Sequence, residues 1–203
     1  MRIEDWIEWE VCSRAFPGEA VSGDVCVTAP CAGGLLLAAI DGLGHGHRAA
    51  EAARRAADIM QASPEDPLDV MVTRCHRALR GTRGVAMTVA FVHRDGRLRW
   101  LGVGNVEAVV SRTSAGRGAL RDSIMLLSGV VGQQIPALRP AETALSCGDM
   151  LVLATDGIRS TFLEALTPRA DTAARTARRI LAEYGKQTDD ALVVAATFLG
   201  SHA

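Results

Sequence analysis

Six consecutive apolar residues, Leu35 to Ile40, run directly into an aspartate, and the stretch reads LLLAAIDGLGHG before an alanine-rich segment begins. A strand this apolar is buried, so its terminal Asp41 sets an anionic oxygen at the rim of a sheet. Gly42, Gly44 and Gly46 let the backbone approach whatever that oxygen binds. Asp-Gly is also a common turn pair, so the motif alone is compatible with an ordinary turn. Three similar placements elsewhere in the chain shift the balance towards a site.

The 203 residues suffice for one domain with a sizeable core. A formal net charge of −1 provides no broad field for nucleic acid or an anionic membrane. The apolar runs are strand-length, far short of the roughly 20 residues that span a bilayer. The opening MRIEDWIEWE is acidic where a secretory leader is basic and then apolar, which points to the cytoplasm. Five scattered cysteines (Cys12, Cys26, Cys31, Cys75, Cys147) contain no C-x-x-C pair. They read as buried or half-buried thiols, with no disulfide framework or zinc site.

The pattern predicts strands within residues 6–15, from Val25 to Thr28 and from Leu35 to Ile40. The short 30–34 turn makes the second and third antiparallel, which sets Asp24 near Asp41. Helices follow over 47–61 and 67–79, then strands over 85–93, 98–103 and 106–111, with Asp95-Gly96 in a hairpin turn. The polar 113–122 stretch reads as a mobile loop, followed by short strands near 124–127 and 141–145. A buried strand over 150–154, a helix from Thr167-Pro168 to Tyr184 and a closing strand over 192–198 complete the chain. Trp6 and Trp9 read as packing for an edge strand. No repeat or linker breaks the sequence, so 1–203 is expected to be a single domain.

Asp24, Asp41, Asp156 and Asp189 each cap an apolar strand. Gathering carboxylates at one edge is costly, since like charges repel and burial raises their pKa. No Lys or Arg stands immediately beside any of them, and divalent cations would neutralise them. An all-oxygen ligand set suits Mg²⁺ or Mn²⁺. For Asp156 and Asp189 to share the edge, their strands must run antiparallel.

In this order, AVSGD, AAIDGLGHG, LVLATDG and TDDALVVAATF resemble the metal-binding motifs of the PPM-type metal-dependent serine/threonine protein phosphatases. Within that family they are most similar to the bacterial branch containing SpoIIE, RsbU and RsbX, and the small size resembles the RsbX type. The resemblance spans about Ser22 to Phe198. It implies an α+β fold, a four-layer αββα sandwich of two antiparallel sheets flanked by helices, here without a large flap insertion. It also implies two divalent cations, Mn²⁺ or Mg²⁺: Asp41, Asp156 and Asp189 would hold one, and Asp24, Asp41 and the Gly42 carbonyl the other. Asp190, Gly44 and His45 would stand behind the ligands or near substrate. An ion-activated water would hydrolyse phosphoserine or phosphothreonine. The implied partners are phosphorylated STAS-domain proteins of an RsbR/RsbS-type stressosome. The arginine that helps eukaryotic relatives grip phosphate has no clear counterpart, Arg14 being a poor match.

Two other readings compete. One is a catalytically inactive scaffold of the same fold. The other is a nucleotide-binding module using the Gly42–Gly46 loop, although Asp41 would aim negative charge at a pyrophosphate. His45 and His47 read as exposed loop residues rather than a transition-metal pair.

Overall fold

The computed structural model describes residues 3–113, 121–166 and 171–200. Strands β1 (Ile7–Arg14), β2 (Asp24–Pro30) and β3 (Gly34–Gly42) lead into helices α1 (His47–Ala62) and α2 (Leu68–Ala78). Then come β4 (Val85–His93), β5 (Arg97–Val103), β6 (Glu107–Ser111), β7 (Arg121–Ser123), β8 (Ala141–Ala144) and β9 (Met150–Ala154). Helices α3 (Phe162–Ala165) and α4 (Ala173–Tyr184) precede the last strand, β10 (Ala191–Phe198).

The strands form two five-stranded sheets, ordered β1-β10-β9-β6-β7 and β2-β3-β4-β5-β8, with every neighbouring pair antiparallel. Side-chain alternation accounts for the layers. In β3, Leu35, Leu37 and Ala39 point between the sheets, meeting Leu151, Leu153, Leu192 and Val194. The intervening Leu36, Ala38 and Ile40 lie under Ala52, Ala53 and Ala56 of α1 and Met71, Val72 and Cys75 of α2. On the opposite outer face, Val152, Val193 and Ala195 meet Phe162, Ala173, Ala177 and Ile180. A strand covered on both faces must be apolar at every position, which is why 35–40 carries no polar residue. The result is the expected αββα sandwich. The alanines of α1 bring its backbone close to the sheet, since a small side chain permits close approach.

Three sequence expectations need correction. The last helix does not begin at Thr167. Residues 167–170 lie outside the described residues, and α4 starts at Ala173, where the Thr172 side chain accepts a hydrogen bond from Arg175 N and so caps it. The strand placed near 124–127 instead occupies Arg121–Ser123, pairing with β6. Of the expected loop, residues 114–120 lie outside the described residues, and Arg121 and Asp122 belong to β7. The Gly42–Gly46 loop, moreover, is not in a parallel β-α-β unit, because β3 pairs antiparallel with β4 after two helices. That removes the architectural basis of the nucleotide reading.

Trp6 is fully buried and meets Phe198 edge-on at 6.4 Å, anchoring the edge strand β1. The thiols are free. Cys75 is buried and Cys12, Cys26 and Cys31 half-buried, but Cys147 is exposed in the turn before β9. Among the described residues, no helix is long and apolar enough to cross a membrane.

Candidate metal centre

The acidic edge forms where strands of both sheets end together. In the second sheet, Asp24 opens β2 and stands directly opposite Asp41 in β3. In the first sheet, β9 and β10 are antiparallel neighbours. Asp156, two residues past the end of β9, therefore returns beside Asp189, two residues before β10. Strand pairing thus brings residue 24 to 41 and residue 156 to 189, and the packing of the two sheets joins the pairs at one edge. Gly42 is needed for the close fit of α1: a Cβ there would stand 2.2 Å from the Ala49 carbonyl oxygen.

Asp41, Asp156 and Asp189 line a cleft of about 320 Å³ together with Leu43, Gly44, Ala86, Gly104, Asn105, Gly129 and Val130. Asp24 lies deeper, 7% exposed. Burial pushes Asp24 up to about 7, against the opposing effect of a hydrogen bond from Thr155, and the neighbouring carboxylates push the same way as burial. Asp41 rises to about 8, chiefly from burial and then from Asp24, Asp156 and Asp189. Asp189 is raised by burial and by Asp156. Mutual repulsion of this kind arises among carboxylates that lie close together. None of the ion pairs found among the described residues involves Asp24, Asp41, Asp156 or Asp189.

The donor set is all oxygen, partly desolvated and without cationic pairing, which fits hard divalent cations. The carboxylates are spread around the cleft. Among the described residues, no three acidic, thiol or imidazole side chains already converge on a common point.

Two supporting residues have no signal in the sequence. Thr155 Oγ1 donates to Asp24 Oδ2 at 2.7 Å and accepts from Leu192 N at 2.9 Å. Asn105 Nδ2 donates to Asp156 Oδ2 at 2.8 Å. Threonine inside LVLAT reads as an ordinary strand residue, and asparagine after Gly104 as an ordinary turn residue. Only the packing of the β5–β6 turn against the end of β9 reveals Asn105.

Asp190 is buried and turned away from the cleft, accepting from Phe16 N at 2.8 Å and Gly23 N at 2.9 Å. Gly44 lines the cleft. His45 is exposed at its margin, with Nδ1 3.0 Å from Glu19 Oε1 and its ring stacked on Phe16 at 5.2 Å. Arg14 donates to the Lys186 carbonyl and does not line the cleft.

A family model described as stage II sporulation protein E (SpoIIE) matches residues 32–199. The chain belongs to the SpoIIE family. This SpoIIE-family chain shares 31% identity and a TM-score of 0.82 with a structure described as "The bacterial stressosome: a modular system that has been adapted to control secondary messenger signaling", covering 94% of this chain and 98% of that one. A structure of RsbX in complex with magnesium superposes with a TM-score of 0.86 at 17% identity, covering 96% of each chain. The catalytic domain of the serine/threonine protein phosphatase PstP, in complex with two manganese ions, gives 0.74 at 21% identity, covering 96% and 99%. The last two likenesses establish the fold, that of the PP2C-type (PPM) phosphatases. Comparison with curated proteins gives no match.

Proposed function

We propose that this SpoIIE-family chain is a metal-dependent protein serine/threonine phosphatase of the RsbX type. The observation that carries the reading is the convergence of Asp24, Asp41, Asp156 and Asp189 from both sheets on one edge, with burial raising three of them and no cation pairing them. Asp41, Asp156 and Asp189 would hold one divalent cation. Asp24, Asp41 and the Gly42 carbonyl would hold the second, making Asp41 the shared ligand. When bound, Mn²⁺ or Mg²⁺ supplies the charge that activates water and neutralises phosphoryl oxygens.

The protein's own groups fix that arrangement. Thr155 occupies one oxygen of Asp24 and leaves the other for the cleft, while Asn105 orients Asp156 in the same way. Such outer hydrogen bonds hold ligands in place before an ion arrives. Asp190 ties down the backbone entering Asp24. The reaction is in-line hydrolysis of a phosphoserine or phosphothreonine ester, with no covalent enzyme intermediate and no role for the cysteines. A single 1–203 domain without a large flap insertion would leave the cleft open to a protein substrate.

The substrates we infer are phosphorylated STAS-domain proteins of a cytoplasmic stressosome. The similarity to a stressosome structure over nearly the full length of both chains supports this choice. The test is phosphate release from phosphorylated STAS-domain proteins with Mn²⁺ and with chelator. Mn²⁺-dependent release is expected, and release that persists under chelation refutes the chemistry.

A further inference from the structure

We propose that Arg83 grips the phosphoryl group of the substrate in the acidic cleft, an assignment that rests on the phosphatase reading above. Gly44 forms part of the cleft wall, and a Cβ built on it would stand 2.6 Å from Arg83 Nη1. The guanidinium therefore lies against bare backbone at the cleft rim. Gly44 adopts φ +89°, where side chains are rarely tolerated, so the room for Arg83 is built into the loop.

The turn carrying Arg83 is held firmly. Thr82 Oγ1 donates to the Leu79 carbonyl at 2.6 Å and accepts from Gly84 N at 3.0 Å. Leu43 N donates to the Gly84 carbonyl at 3.1 Å, tying this turn to the loop after Asp41. Gln133 Nε2 donates to the Arg83 carbonyl at 2.5 Å. The backbone of Arg83 is thus fixed to both the Asp41 loop and the Gly129–Gln133 segment, while its side chain is exposed.

That side chain has no partner among the described residues: no hydrogen bond or ion pair engages its guanidinium. Arg14 and Arg159, near the site in the chain, are each spent on a backbone carbonyl, those of Lys186 and Glu183. On its outer side Arg83 borders a depression shared with Arg48 and Glu51, whose formal charges cancel. Among the described residues, Arg83 is an unpaired positive charge beside the Gly44 wall of the cleft, and Lys186 is a second cation, acting on Asp189. A planar guanidinium fork matches two oxygens of a phosphate monoester, and the cations held by the carboxylates would face the remaining oxygens. The dianion would be bound between two positive poles, with the ester oxygen directed outwards to the protein substrate.

The test compares wild type, Arg83→Ala and Arg54→Ala, the last removing an exposed charge on α1 that does not line the cleft. Calorimetric titration of the Mn²⁺-loaded proteins with inorganic phosphate reads the proposed contact without turnover. Arg83→Ala is expected to weaken phosphate binding roughly tenfold or more, as loss of a charged hydrogen-bonding partner does. It should raise KM for p-nitrophenyl phosphate more than it lowers kcat, and leave the thermal shift induced by Mn²⁺ unchanged. Arg54→Ala should match wild type. The assignment is overturned by wild-type phosphate affinity in Arg83→Ala, by wild type that binds no phosphate, or by loss of the Mn²⁺-induced shift in Arg83→Ala. Wild type that binds phosphate through Arg83 but hydrolyses no ester would refute the phosphatase reading and leave Arg83 as an anion-binding residue.

Discussion

Thr155 donates its hydroxyl proton to Asp24 across the gap between the two sheets, at 2.7 Å, and the same oxygen accepts from Leu192 N at 2.9 Å. One side chain therefore fixes an acidic residue of β2 and satisfies the backbone of β10. Thr155→Val keeps the shape and removes both bonds. It leaves a buried carboxyl and a buried amide unsatisfied, at about 1–3 kcal/mol each. We expect a lower denaturation midpoint and weaker Mn²⁺ binding, with Thr155→Ser restoring most of both. Wild-type Mn²⁺ affinity in the valine variant, measured by titration, would separate Thr155 from the site.

Burial raises the pKa of Asp41 most, its four carboxylate neighbours raise it further, and it is the carboxylate expected to be shared between ions. Asp41→Asn removes a charge and retains the volume. Turnover of phosphorylated substrate should fall below detection, and the Mn²⁺-induced thermal shift should shrink sharply. The ion-free variant should be at least as stable as ion-free wild type near neutral pH, because one source of repulsion is gone. Retained Mn²⁺-dependent turnover would remove Asp41 from the centre.

The same shifts set the direction of pH dependence. Asp24 at about 7 and Asp41 at about 8 hold their protons more tightly in the folded chain than at the ordinary value of 3.8, with burial as the main cause. Between those limits the folded protein binds more protons than the unfolded one, so stability of the ion-free protein falls as pH rises. We expect its melting temperature to drop from about pH 5 to about pH 8.5, by an amount that Asp41→Asn reduces. Ions compete with those protons, so the stabilisation by Mn²⁺ should grow over the same interval. A melting temperature of the chelated protein that rises through this window would contradict the burial of these groups.

What the sequence discloses follows from how local each feature is. The Asp24–Asp41 pairing rests on a short turn between two apolar strands, and the observed register opposes these two residues. The approach of Asp156 to Asp189 depends on β9 and β10 being neighbours, which no spacing across an intervening helix dictates; the ordered set of motifs suggests it. β7 carries no strand signal in the sequence because Arg121-Asp122-Ser123 has no apolar alternation. As the outermost strand it pairs only with β6, and its half-exposed residues carry little pattern. Pro168, a common first-turn residue, draws the expected start of α4 too early, whereas the cap is Thr172, whose side chain accepts from Arg175 N. Thr155, Asn105 and Arg83 gain their roles only through contacts with residues distant in sequence.

Asp190 fixes the segment that crosses from one sheet to the other. Its Oδ1 accepts from Phe16 N and its Oδ2 from Gly23 N, so both ends of the connection between β1 and β2 are tied to the start of β10. Both oxygens are used, and the residue is 3% exposed, which leaves it the work of holding Gly23, and through it Asp24, in place. Asp190→Ala strands the buried Gly23 amide, at a cost of about 1–3 kcal/mol. Loss of an outer support of this kind lowers ion affinity by roughly 10- to 100-fold. Asp190→Asn retains one carbonyl oxygen and one of the two amide bonds, so its Mn²⁺ affinity should fall between wild type and alanine. A direct ligand would behave differently, since the asparagine variant would then lose as much affinity as the alanine variant. Manganese titration of the three proteins, alongside their denaturation midpoints, distinguishes the two roles.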